Sequence, residues 1–115
     1  MVLVAEADTA QQPEVVGFAA FHRVADEAEL RNLAVSSEYQ RRGVARALLE
    51  EGVRRLRQLG TGRVFLEVRA SNGPALSLYA TVGFKLLTTR KGYYQDPDED
   101  AWVMALDLGP VLPRR

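Results

Sequence analysis

Apolar and polar positions alternate along the first third of the chain in short stretches. Val2 to Ala7 reads as a strand, and the polar run Asp8 to Pro13 breaks it as a hairpin loop would. Val15 to Arg23 reads as a second strand, Val24 to Glu27 as a turn, and Glu29 to Val35 as a third strand. In that third strand Leu30, Asn32 and Ala34 alternate with Arg31, Leu33 and Val35. The three strands predict an antiparallel meander.

After Ser36-Ser37 the period changes. Val44, Leu48, Leu49, Val53, Leu56 and Leu59 fall at helical spacing between Gly43 and Leu59, and Gly60 is placed to end the helix. Val64 to Val68 is a nearly continuous apolar run, the pattern of a central, covered strand. Ser71-Asn72-Gly73-Pro74 stops it and starts a second helix, which runs to about Val82 with Gly83 beyond. Phe84 to Thr89 and Trp102 to Leu108 read as two last strands. A polar loop between them carries Tyr93, Tyr94 and the acidic run Asp96 to Asp100. The predicted order is βββ-α-β-α-ββ, an α/β (α+β) fold in which a mixed twisted sheet carries flanking helices. Residues 1–108 form one domain in this reading, and 109–115 an irregular tail.

Composition narrows the function. A chain of 115 residues, 47% hydrophobic and 26% charged, has the make-up of one globular domain. Lys+Arg and Asp+Glu balance at 15 each, so no net field favours nucleic acid or a membrane surface. The longest clean apolar run, Val15 to Phe21, is far below the ~20 residues a membrane span needs. The first six residues lack the basic segment of a signal peptide. The sequence contains no cysteine, which removes disulfides, thiolate metal sites and a cysteine nucleophile together, and fits a reducing cytoplasm.

One segment carries candidate chemistry by spacing alone. Gln40-Arg41-Arg42-Gly43-Val44-Ala45 lies where strand gives way to helix. The first N–H groups of a helix lack internal partners, and a glycine there lets a phosphate approach the backbone. Arg41, Arg42 and Arg46 add positive charge. A pyrophosphate cradle and a solvated basic helix start both fit this spacing. A nucleoside-triphosphate loop does not, because no glycine-rich loop ends in Lys-Ser or Lys-Thr. Gly60-Thr61-Gly62 lies between a helix and a strand, the reverse of a dinucleotide-binding context.

Gln40-Arg41-Arg42-Gly43-Val44-Ala45 also resembles the acetyl-CoA motif of the GNAT N-acetyltransferases, Gln/Arg-x-x-Gly-x-Gly/Ala. The resemblance is closer to the bacterial ribosomal-protein alanine N-acetyltransferases. Asn32 to Val35, Tyr39 to Gly43, Ala47 to Glu50, Leu66-Glu67-Val68-Arg69-Ala70-Ser71-Asn72, Leu78-Tyr79, Gly83-Phe84, Tyr93-Tyr94 and Met104 to Leu106 carry it. It covers residues 29 to 108, and the run from Leu66 to Asn72 is its most specific part. Ala45 stands where many relatives have glycine. The family usually begins with a strand and one or two helices ahead of the first strand here, and these wall one side of the acceptor site. The resemblance therefore implies a chain lacking that start.

The resemblance implies an enzyme that moves an acetyl group from acetyl-CoA to a protein N-terminal α-amine, with alanine on a ribosomal-protein-like acceptor. It implies that the backbone of Leu33, Ala34 and Val35 pairs with the pantetheine arm. Arg41, Arg42, Gly43, Val44, Ala45 and Arg46 would hold the pyrophosphate and Asn72 the pantetheine. Glu67 matches the family's general base, and an ion pair with Arg69 or Arg31 is the structural alternative. Tyr79 matches the general acid that protonates the leaving thiolate, against the amphipathic packing that most helix tyrosines adopt. Tyr93 and Tyr94 would border the incoming peptide, or form a structural pair. A peptide α-amine titrates near ~8 against ~10.4 for lysine, which suits a carboxylate base better. His22 receives no role. Without cysteine, direct attack by the amine is expected, with no metal.

Two other readings stay open: a GNAT enzyme acting on lysine or a small amine, and a catalytically weakened acyl-CoA-binding module. No nucleic-acid or membrane partner is expected. Apolar surface near Val2, Leu3, Val15 and Phe18 predicts a homodimer.

Overall fold

The structure, a computed structural model, describes residues 1–109, so the expected tail lies outside the described residues except for Gly109. The strands are β1 (Val2–Asp8), β2 (Pro13–Val24), β3 (Glu27–Val35), β4 (Arg63–Arg69), β5 (Lys85–Tyr94) and β6 (Glu99–Asp107). The helices are α1 (Val44–Gln58) and α2 (Gly73–Val82), and a single 3-10 turn covers Ser37–Tyr39. The strands form one sheet in the order β1-β2-β3-β4-β6-β5, which confirms the mixed sheet and the element order.

β4 shows how the sequence builds the core. Val64, Leu66 and Val68 are buried, while Arg63, Phe65, Glu67 and Arg69 between them are only half-buried. The buried set meets Leu48, Leu49 and Leu56 of α1, with Ala75, Leu76, Leu78 and Val82 of α2 packed against the same cluster. The strand is central, as its apolar run suggested, but its two faces differ: helices cover one, and Glu67 stands on the other.

α1 presents Leu48, Leu49, Gly52, Val53 and Leu56 inward. Gly52 sits there because α1 crosses β2 closely: a Cβ on it would come within 2.3 Å of the Phe21 ring. Leu59, which fits the helical period, is the exposed C-cap residue. The end of α2 is closed by Gly83 at φ 115°, a left-handed conformation that glycine adopts without penalty.

The strands depart from simple alternation in several places. Ala20 pairs with Asn32 and Phe21 with Leu30, so Arg31 is an extra residue in β3 and the inward phase passes from Leu30 to Leu33 and Val35. The last hairpin is longer than its polarity suggested, because Tyr94 pairs with Glu99 across the ladder. Tyr93 and Tyr94 therefore end β5 instead of lying in a loop. They follow a bulge in which Gly92, at φ 62°, donates its N–H to Asp100 Oδ1 at 2.9 Å. Leu3, expected at the surface, is buried in the core, whereas Val2, Val4, Val15 and Phe18 are exposed.

Candidate active site

β3 and β4 are parallel neighbours only at their beginnings, where Glu27, Ala28 and Glu29 pair with Arg63, Val64 and Phe65. Beyond Glu29 the two strands part. Among the described residues, β3 keeps β2 on one edge as far as Val35 and has no strand on the other. Unpaired strand edge is a template for an extended ligand arm.

On the helix side, the gap opens into a groove of about 500 Å³. It is lined by Leu33 and Val35 of β3, by Tyr39, Gln40, Arg41, Gly43, Val44, Ala45 and Arg46, and by Asn72, Pro74, Ala75, Leu78 and Tyr79. Gly43 is the N-cap of α1 at φ 82°, with no side-chain cap on the helix. The first N–H groups of α1 therefore remain free and form a helix end of partial positive charge. The space before Gly43 is open: a Cβ there would meet no atom within 4 Å. Arg41 also has positive φ, 63°, an uncommon conformation outside glycine. Arg46 pairs with Glu50 at 3.2 Å, and Gln40 Nε2 donates to Val35 O at 3.0 Å. Asn72 caps α2, its Oδ1 accepting from Ala75 N–H at 3.2 Å, which leaves its NH₂ as the group it can offer a ligand.

The sequence-predicted residues thus converge, with two exceptions in side-chain placement. Ala34 pairs with Phe18 across the sheet and shares the exposed face with it, so only its backbone borders the gap. The Arg42 guanidinium lies over the Tyr39 ring at 5.2 Å and is absent from the groove lining.

A second concavity, about 420 Å³, lies along the same gap and is lined by Glu29, Leu30, Arg31, Asn32, Glu67, Tyr93 and Tyr94. The carboxylate of Glu67 is about a quarter exposed and lies 3.7 Å from Arg90 of β5. Neither sequence-expected partner reaches it: Arg31 pairs with Glu29 at 2.9 Å and Arg69 with Glu99 at 3.3 Å. The rings of Tyr93 and Tyr94 meet edge to face at 5.3 Å.

Tyr79 packs edge to face on Phe84 at 5.9 Å while lining the larger groove, so the packing and chemical expectations coexist in one side chain. Burial, and then the nearby Tyr94, raise the Tyr79 phenol above its ordinary 10.0. A phenol shifted that way stays protonated, as a proton donor must. Burial and the Glu67 carboxylate also push Tyr94 up, with Arg69 pulling the other way.

Among known protein families, the Acetyltransferase (GNAT) family matches residues 1–84. The chain belongs to that family. GNAT enzymes take acetyl-CoA as their acetyl donor. The chain is 45% identical over 100 residues to the [ribosomal protein bS18]-alanine N-acetyltransferase of Escherichia coli strain K12, covering 85% of this chain and 68% of that enzyme. The crystal structure of the ribosomal-protein-S18-alanine N-acetyltransferase from Escherichia coli superposes with a TM-score of 0.80 at 42% identity, covering 89% of this chain and 66% of that one. The chain thus spans about two thirds of that enzyme's length. The NatC complex bound to Gag peptide and CoA shares the fold with a TM-score of 0.83 at 25% identity, covering 94% of this chain and 71% of that one.

Within this GNAT domain, sequence reasoning missed Arg90, Gln40 and the use of Arg69. Arg90 and Arg69 meet their partners only through the β4–β6–β5 pairing, a long-range fact that no local spacing encodes. Gln40 was part of the glycine motif, but its bond to Val35 depends on the turn between them. Among the described residues, no group of three or more His, Cys, Asp or Glu is placed to hold a metal, and no helix is long and apolar enough to cross a membrane.

Proposed function

We propose that the chain transfers an acetyl group from acetyl-CoA to a protein N-terminal α-amine, with alanine at the terminus of a ribosomal-protein-like acceptor. The observation that carries this reading is the gap between β3 and β4, with a proton donor on its helix side and a carboxylate on its other side. Identity to the bS18-alanine N-acetyltransferase supports the acceptor class.

The donor substrate supplies an activated thioester carbonyl. Leu33 to Val35 offer it an unpaired backbone edge. The start of α1, with Arg41 and Arg46, takes the phosphates, and the NH₂ of Asn72 is available to the arm. Glu67 accepts a proton from the incoming ammonium, directly or through water, so that the neutral amine attacks. A backbone N–H of the open β3 edge steadies the charge that develops on the carbonyl oxygen. Tyr79 delivers its proton to the departing sulfur. Arg90 keeps a positive charge 3.7 Å from the Glu67 carboxylate. Tyr93 and Tyr94 form the acceptor wall. A cytoplasmic setting follows from this acceptor.

The decisive measurement is acetyl transfer to matched alanine-starting peptides with free or blocked N-termini, beside a peptide whose only amine is lysine. Transfer to the free N-terminus alone is expected. Preference for lysine would shift the reading to a side-chain acetyltransferase.

The same reading includes a homodimer. Val2, Val4 and Phe18 share the helix-free face next to β1, whose outer edge is unpaired among the described residues. Self-pairing there covers apolar surface and strand edge together. Light scattering at micromolar concentration should give twice the chain mass, and the monomer mass would refute it.

A further inference from the structure

Arg69 stands two residues beyond Glu67 on β4, within the most specific run of the sequence, and the mechanism above leaves it without a task. Its guanidinium is committed to one neighbouring element. Nη1 donates to Pro97 O at 3.4 Å and to Glu99 Oε1 at 3.3 Å. Nη2 donates to Gln95 O at 3.4 Å, and the group lies over the Tyr94 ring at 4.3 Å. All four contacts belong to the β5–β6 hairpin. Each bond is long, but a planar fork engages three acceptors and a ring face at once, a geometry open to arginine and closed to lysine.

The contacts fall where the hairpin needs support. Between Tyr94 and Glu99 the chain leaves the ladder, so the carbonyls of Gln95 and Pro97 have no strand partner there. Tyr94, just before the turn, lines the same concavity as Glu67. Glu99 accepts the Ser71 N–H at 2.7 Å as well, and hydrogen bonding from Ser71, then Arg69, holds its carboxyl below the usual value. Glu99, the carboxylate that Arg69 grips at the start of β6, is therefore itself braced.

We infer that Arg69 is a positioning residue for the acceptor: it clamps the β5–β6 hairpin so that Tyr94 stands beside Glu67. This rests on the reading of that concavity as the acceptor site. Arg69 does not line either groove. Its loss frees the hairpin and weakens acceptor binding, while the groove before Gly43 is unchanged.

The test uses the full chain and the variants Arg69→Gln, Arg69→Lys and Tyr94→Leu. Steady-state kinetics with a free-N-terminus alanine peptide give KM and kcat, calorimetry gives acetyl-CoA affinity, and hydrogen exchange reports on residues 93–99. In Arg69→Gln the peptide KM should rise about tenfold, as expected for charge-assisted bonds at a partly exposed site, with acetyl-CoA affinity unchanged. Amides of 93–99 should exchange faster while those of α1 do not. Tyr94→Leu should raise KM similarly, and the double variant no further. Arg69→Lys should resemble Arg69→Gln. Unaltered exchange, full rescue by lysine, or an equal loss of acetyl-CoA affinity would each overturn the clamp. A wild-type chain inert towards free N-termini would sink only the functional reading, and hydrogen exchange would still decide the clamp either way.

Discussion

Replacing Gly43 by alanine separates the conformational from the chemical reason for that glycine. At φ 82° and ψ 7° the residue is left-handed, and a side chain there costs about 1 kcal/mol. Nothing lies within 4 Å of the new Cβ, so no steric term adds to this. For a domain of this size, about 1 kcal/mol lowers Tm by roughly 4 °C and leaves the protein folded at 25 °C. Binding should suffer more. The methyl occupies the open space through which a phosphate must approach the free N–H groups of α1. Losing one charge-assisted bond of about 1.5–3 kcal/mol weakens affinity roughly 10- to 100-fold. Gly92→Ala supplies the control, since Gly92 is also left-handed, at φ 62°, with nothing within 4 Å, but lies outside the groove. Thermal unfolding by circular dichroism and calorimetric titration with acetyl-CoA measure both quantities. Comparable losses of stability in the two variants, with affinity lost only in Gly43→Ala, are expected. Unchanged acetyl-CoA affinity in Gly43→Ala would refute the phosphate cradle.

Glu67→Gln should reduce kcat by roughly 10²-fold with little change in acetyl-CoA affinity, and the deficit should shrink as pH rises past the ~8 of a peptide α-amine; full turnover at neutral pH would make Glu67 structural. Tyr79→Phe keeps the ring on Phe84 and removes the proton, so kcat should fall without loss of Tm. Because the Tyr79 pKa is raised, its protonated form and the stability linked to it persist below pH 10 and are lost as pH climbs through the folded value. An alkaline limb in kcat that Tyr79→Phe abolishes near neutrality would contradict this. Gly52→Ala should destabilise by about 1–2 kcal/mol, because crowding the Phe21 ring costs up to ~3 kcal/mol and outweighs ~1 kcal/mol of helix propensity. A higher Tm in that variant would show that the α1–β2 contact relaxes freely.

Local patterns disclosed the elements, because core-facing residues recur with the period of the structure they occupy. Leu48, Leu49, Val53 and Leu56 marked α1, and the nearly continuous apolar run from Val64 to Val68 marked β4. Gln40 to Arg46 were legible as a candidate anion site because they are contiguous at a helix start, whereas Leu33 to Val35, Asn72 and Tyr79 were indicated by the resemblance to the GNAT family. The bulge at Arg31 was not legible: it shifts the inward phase of β3 without any glycine or proline to signal it. Tyr93 and Tyr94 look like loop residues because their neighbours are polar, yet the ladder reaches Tyr94 at the end of an edge strand that is exposed as far as Tyr93. Gly52 resembles an ordinary helix weakness until the ring of Phe21, 31 positions earlier in sequence, is placed against it.

The parting of β3 from β4 bears on the order of events. Leu33 and Val35 line one concavity and Arg31 and Asn32 the other, so one strand segment borders both from different sides, and in the proposed reaction serves both reactants. Neither occupant need block the other's entrance. In the direct attack proposed above, both reactants are seated together before transfer. Kinetics should therefore show intersecting, not parallel, double-reciprocal lines, and spent CoA should compete with acetyl-CoA but not with peptide. A molecule joining both reactants through a short linker threaded across the gap would occupy the two sites at once and gain from the high effective concentration of its second half.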